Sequence, residues 1–412
     1  MKKLNKIIAL AICLLTFAGA AAQNGTMSPY SRYGYGLLND NATSGQRFMG
    51  GVGYAMNSGR QINVMNPASY AAIDSLTFLF DMGFDLDWLS SEENGLKEHN
   101  NNGSLNYITM SFPIAKRLGA SIGLLPFSST GYTFGQSIDN GGVSRTGNGD
   151  INELYVGVGY SPFKNFYAGL NFGYLFGTIN NDVYASTITG STSLFQRYMR
   201  VRDYKLDFGV QYSYNLDRNN RLTLGATFSP GKSFHGETYG VYYDLSTNVS
   251  DTTGYTKLGG KYTMPASYGI GLNWTWRERL MVETDFTYQP WKNVKYASME
   301  GFESMQFDNR WKFAAGLGWT PHPRGNWVKR VQYRAGAYYT HDYLNILGNN
   351  VREYGVTVGF GLPVPTFKSI INLGFEYKHR QATPNPLIKE NYFTVSIGIN
   401  FNEMWFRKSV IY

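Results

Sequence analysis

The sequence predicts an all-β protein: a 14-stranded antiparallel transmembrane β-barrel with an N-terminal hatch inside its lumen. Three observations predict it. Stretches that alternate apolar and polar residues recur fourteen times between residues 76 and 401. The connections between them are short and long by turns. No later segment approaches the roughly 18 consecutive apolar residues of a membrane helix, yet 43% of the chain is hydrophobic and 16% aromatic, which suits spanning strands instead.

The chain opens "MKKLNKIIALAICLLTFAGAAAQ". Lys2, Lys3 and Lys6 precede a short apolar run and an Ala-Ala-Ala before Gln23, the pattern of a secretory signal peptide over residues 1–22. Cys13 follows the bulky Ile12 inside the apolar run, which does not suit a lipoprotein. Cleavage would leave 390 residues, lower the net charge from +8 to +5 and remove the single cysteine. That excludes a disulfide-stapled module and gives weak grounds for a nucleic-acid partner; none is expected.

Residues 23–75 lack the alternation. They mix Gly, Ser and Asn with Met49, Val52, Tyr54, Ile62, Val64 and Tyr70. So much apolar surface tends to be buried, and the lumen is the available cavity. The expectation is a hatch over residues 23–75.

The barrel is expected over residues 76–401. Its alternations fall at 76–88, 108–114, 118–124, 154–160, 166–176, 204–214, 222–228, 268–276, 280–288, 311–319, 331–337, 354–360, 371–377 and 393–401. In the first, Leu76, Phe78, Phe80, Met82, Phe84, Leu86 and Trp88 share one face, because a strand turns successive side chains to opposite sides. Ten residues at about 3.4 Å, tilted near 45°, cover on the order of 24 Å, the height of an apolar membrane band. Soluble sandwich strands are usually about 5–6 residues long. Trp88, Trp276, Trp319, Tyr288 and Tyr377 end alternations, where interfacial girdles belong. Long loops are expected near 89–103, 128–150, 178–201, 231–265, 290–308, 341–352 and 380–390. An even strand count puts both ends of the barrel on the short-turn side, expected to be the periplasm. Residues 402–412 form a C-terminal extension: the last strand runs on to Trp405 and Phe406, or a tail enters the periplasm.

The opposite face carries many glycines, among them Gly157, Gly169, Gly209, Gly225, Gly316 and Gly398, which clear volume for something inside. Asp81, Asp85, Lys205, Glu283, Asp285, Lys312, Arg334 and Glu376 share it, so this face is expected to line the lumen. Asp81, Asp85 and Asp87 form an acidic stripe, read as water-facing or as a cation site.

The stretch "GQRFMGGVGYAMNSGRQINVMNPASYAAIDSLTF" resembles the N-terminal hatch of the FadL/TodX (OmpP1-like) family, outer-membrane transporters of long-chain fatty acids and aromatic hydrocarbons. Asn66, Pro67 and Ala68 match the family's Asn-Pro-Ala motif, and Pro126, Phe127 and Ser128 resemble its third-strand Pro-Phe-Gly element with Ser for Gly. "SPYSRYGYG" looks like a Bacteroidota-type variant. The resemblance implies passive uptake of a hydrophobic small molecule into an apolar pocket against the hatch, with lateral exit into outer-membrane lipid where the third strand kinks near Pro126. Pro126 has an alternative role, ending that strand at its rim. Tyr30, Tyr33 and Tyr35 either reach the pocket or pack the hatch. The resemblance also implies the outer membrane of a Gram-negative bacterium, with both termini periplasmic.

No GxSxG elbow, HExxH, P-loop or Cys–His metal spacing is present, so no enzyme, cofactor or metal is expected. Three functions compete, and one of them, a general porin, predicts an open aqueous channel that the expected hatch argues against. A transporter predicts an apolar pocket by Asn66 and a wall gap near residues 124–130. A non-transporting barrel, a subunit of an outer-membrane secretion or barrel-assembly complex, predicts a filled lumen, no wall gap and contacts to other outer-membrane or periplasmic proteins through loops or tail.

Overall fold

The computed structural model describes residues 26–404 except 139, 248, 300, 301, 303 and 365–368. The expected signal peptide and residues 405–412 lie outside the described residues.

Fourteen antiparallel strands form the wall: β1 Thr77–Glu93, β2 Leu96–Ala115, β3 Leu118–Ile138, β4 Gly141–Tyr160, β5 Phe166–Thr187, β6 Thr192–Asn215, β7 Asn220–Ser229, β8 Ser267–Trp276, β9 Leu280–Gln289, β10 Arg310–Trp319, β11 Gln332–Ile346, β12 Asn349–Pro363, β13 Ile370–Thr383 and β14 Lys389–Met404. β14 pairs with β1 from Thr77↔Met404 to Glu92↔Lys389, so the sheet closes on itself. The wall is the expected one. Leu76 sits in the left-handed region and precedes the first strand, while the last strand runs three residues past 401.

The two faces separate as the alternation predicts. Along β4, Leu154, Val156 and Val158 are 46%, 52% and 44% exposed, whereas Glu153 and Tyr155 are buried. Trp88, Trp319 and Tyr377 are exposed at the band's edges. A continuous apolar belt of this size suits lipid, not water.

The long connections are largely not loops. β1 and β2 continue as a hairpin to a two-residue turn at Asn94–Gly95, both at positive φ, and β11 and β12 do the same at Leu347–Gly348. β3 to β6 run 20–24 residues each, well beyond the apolar band. Above β6 a further hairpin, Gly236–Asp244 with Val249–Lys257, extends the wall. Once a backbone has left the bilayer, pairing with the neighbouring strand still satisfies its polar groups, so strands outlast the lipid-facing pattern.

Residues 26–75 lie against the inner face. They contain 3₁₀ turns at Pro29–Arg32 and Pro67–Ala72, a helical turn at Ser44–Arg47 and a two-residue strand, Leu37–Leu38. A Cβ at Gly169 would overlap Pro67, at Gly225 the Tyr54 carbonyl, and at Gly316 the Met49 carbonyl. At these three glycines the wall and the N-terminal segment approach backbone to backbone.

Candidate functional site

Asn66, Pro67 and Ala68 lie at the short-turn half of the lumen, against β5 and β6. Asn66 caps the 3₁₀ turn: its Oδ1 accepts from Ala68 N at 3.1 Å, and its Nδ2 donates to Tyr54 O at 2.7 Å and Val210 O at 3.2 Å. Nearby, carboxylates on β9 hold the backbone of the segment. Asp285 accepts from Gly53 N at 2.6 Å and Tyr54 N at 2.9 Å, and Glu283 accepts from Ala55 N at 2.9 Å. Ser44 N donates to Tyr107 OH at 2.7 Å, which donates to Asp81 at 2.7 Å. The acidic stripe is held by protein groups: Asp81 also accepts from Asn400, Asp85 pairs with Arg47, and Asp87 accepts from Thr394, while Asp85 and Asp87 also line a cavity in the lumen.

The hairpin-end half is filled by aromatic rings. Tyr35 is fully buried, 4.9 Å from Phe234, 6.0 Å from Trp291 and 5.3 Å from Tyr296 between centroids. Tyr343 OH donates to Gly36 O at 2.6 Å. Tyr30 OH donates to Ile388 O at 2.5 Å and accepts from Ala382 N at 3.2 Å. Burial, helped by the Glu390 carboxylate, pushes this phenol up to about 12, so it stays a donor. Tyr33 packs on the same cluster, with the Arg32 guanidinium 5.4 Å from its ring. Tyr30 and Tyr33 pack the segment into the wall and line neither of the two lumen cavities.

Between the two halves the strap Leu38–Asp40 crosses the lumen. It separates a cavity of about 350 Å³ from one of about 130 Å³. The larger is lined by charge, including Asp85, Asp87, Glu353, Glu376, Lys378 and Arg380. Its ions are mostly paired: Arg47 with Asp85 and, at 3.6 Å, Glu376; Arg380 with Glu353 and, at 3.5 Å, Glu390; Asp40 with Lys312 and, at 3.5 Å, Arg310. An apolar ligand finds no matching pocket there. The inner-face charges were legible from alternation. Their partners Asp40 and Arg47 were not, because nothing in the sequence says which part of the N-terminal segment meets which strand.

Pro126, Phe127 and Ser128 lie where the wall changes. β2 and β3 pair only from Ala115↔Leu118 to Ile108↔Leu124. Above that, β2 continues with β1 and β3 with β4, and the two no longer pair with each other, leaving a seam in the wall. Phe127 is an extra residue in β3, since Pro126 pairs with Asn152 and Ser128 with Ile151. Pro126 does not end the strand, which runs on to Ile138; the strand bulges there instead. Leu37 and Leu38 pair with Ser129 and Ser128, and Asn39 N donates to Phe127 O at 3.0 Å. The charged cavity reaches the seam at Gly103–Asn106 and Pro126.

The model of the BamG family matches residues 3–411. The chain belongs to the BamG family. Among solved structures, this family member aligns with the Pseudomonas putida toluene transporter TodX at 14% identity, covering 90% of this chain and 99% of that one, with a TM-score of 0.61. A Pseudomonas aeruginosa FadL homologue aligns at 11% identity over 89% and 99%, TM-score 0.61. The Ralstonia pickettii toluene transporter TbuX aligns at 11% over 88% and 98%, TM-score 0.58. Comparison with curated proteins found no match. At these identities the structural likeness is one of fold: the BamG-family chain is a barrel of the FadL/TodX type.

Proposed function

We propose that this protein is a FadL-like barrel serving as a subunit of an outer-membrane secretion or barrel-assembly complex, with residues 26–75 as its hatch. One observation carries the proposal. The lumen is filled by the protein's own N-terminal segment, aromatic at one end and hydrogen-bonded to wall carboxylates at the other, and the larger of the two cavities beside it is lined with ions. Membership of the BamG family agrees with this reading. In it the outer membrane of a Gram-negative cell supplies the lipid around the belt, the short turns face the periplasm, and no nucleic acid, cofactor or metal takes part.

The second reading is passive uptake of a hydrophobic small molecule with lateral exit. The seam beside Phe127 favours it. A pair of measurements separates the two. Purification in mild detergent through an affinity tag should recover defined outer-membrane partners at constant ratio. Proteoliposomes holding the barrel alone should take up labelled long-chain fatty acid no faster than empty vesicles. A solitary barrel that speeds uptake would reverse the assignment.

A further inference from the structure

The seam has two edges, and they are treated differently. Where it leaves β2, the β3 edge is covered from inside by the protein's own chain over Phe127–Gly131: Leu37–Asn39 lie on Phe127–Ser129, and Ser31 Oγ donates to Gly131 O at 3.1 Å and accepts from Gly131 N at 3.0 Å. The β2 edge opposite carries no backbone pairing among the described residues from Leu96 to Asn106. An extended piece of chain therefore already fits on one side of this gap, and the other side is bare.

The bare edge begins at the level of lipid. Leu105 pairs across β1 with Phe84, Gly103 with Leu86, and Asn101 with Trp88 at the rim of the belt. Leu105 and Leu86 are 43% and 46% exposed on the apolar face. Unpaired backbone does not persist against hydrocarbon; it is tolerated where protein or water covers it. Above the rim the edge reads Leu96-Lys97-Glu98-His99-Asn100-Asn101-Asn102, polar and largely exposed. Acyl chains neither bond these amides nor solvate Lys97 and Glu98. An extended polypeptide does both: its backbone pairs with the edge, and its side chains change from apolar beside Leu105 to polar beside the asparagines.

We propose that the β2 edge, Leu96–Asn106, is a docking site for an extended segment of a partner protein, which adds as a strand and covers the seam from outside. The inference rests on the complex-subunit reading and names the surface that reading uses.

Hydrogen exchange on the tagged native assembly, set against the isolated barrel, tests it. The seam-facing amides among residues 97–106 are expected to exchange at least about tenfold more slowly in the assembly, with β9 and β10 unchanged. A photo-crosslinker at Leu105 should yield one discrete adduct with a co-purifying subunit, and none at Phe286 on the opposite wall. Asn102→Pro and Gly103→Pro sharpen the test, because neighbouring strand residues aim their N–H groups to opposite sides. The one directed at the seam should weaken association by about tenfold while the barrel still folds. If partners co-purify but exchange over 97–106 is unaltered, the docking site is wrong and the subunit reading stands. If nothing co-purifies, both fall. An adduct at Leu105 with lipid only would assign the seam to lipid and overturn the site.

Discussion

Asn66 joins three parts of the molecule: its own turn, the loop at Tyr54 and the wall at Val210. Replacing it with alanine leaves two buried carbonyls and one N–H without that partner. Asn66→Ala is expected to cost about 1–3 kcal/mol, read as a lower urea midpoint for the folded barrel in detergent. The motif around it could be read from the chain through its likeness to a known family. The bond to Val210 could not, because 144 residues separate the two. Asp40 behaves similarly. Burial raises its carboxyl, but Lys312 and Arg310 outweigh burial and hold it below the usual carboxylate range. A depressed folded-state value means the contribution is present above the unfolded value of about 3.9 and is lost as pH falls through the folded one. Protection of amides 38–42, taken relative to intrinsic exchange at each pH, should therefore hold down to about pH 4 and fall in stronger acid. Asp40→Asn should be weakly protected throughout, with a protection that does not change with pH.

Elements were legible where lipid imposes a period and misread where it stops. The belt residues of β1, Phe78 to Trp88, alternate because one face is hydrocarbon-wet, and the strand was found there. The same strand continues to Glu93, through polar residues read as loop. Asn94–Gly95 was the overlooked signal: adjacent residues at positive φ are what a two-residue hairpin needs. The bulge at Phe127 had a partial signal in Pro126, but its consequence, a strap pairing with the free side of β3, depends on a segment ninety residues away in sequence. Asn39→Pro removes the donor to Phe127 O and suits a residue that follows an extended one. It should cost about 0.5–1.5 kcal/mol locally. The expected readout is faster exchange over residues 36–40 with an unaltered melting temperature for the barrel.

Taken whole, the molecule is a barrel wall around an occupied interior, aromatic at the hairpin end and polar toward the short turns, and its stability depends on which solvent meets which face. Val156 on β4 is 52% exposed on the lipid side, between the inward Tyr155 and Gly157. Val156→Arg should lower stability by about 2–4 kcal/mol if the site lies near the bilayer midplane, measured by reversible folding into lipid vesicles. A water-soluble barrel would show almost no penalty, so the result tests the membrane assignment directly. The chain alone determined the wall: strand number, lipid face, lumen face and the glycine track, all of them consequences of a two-residue period against a bilayer. Folding decided how the interior is filled, which ions pair across the lumen, and where β2 and β3 part company. Those depend on contacts between residues far apart in the chain, and local periodicity carries no information about them.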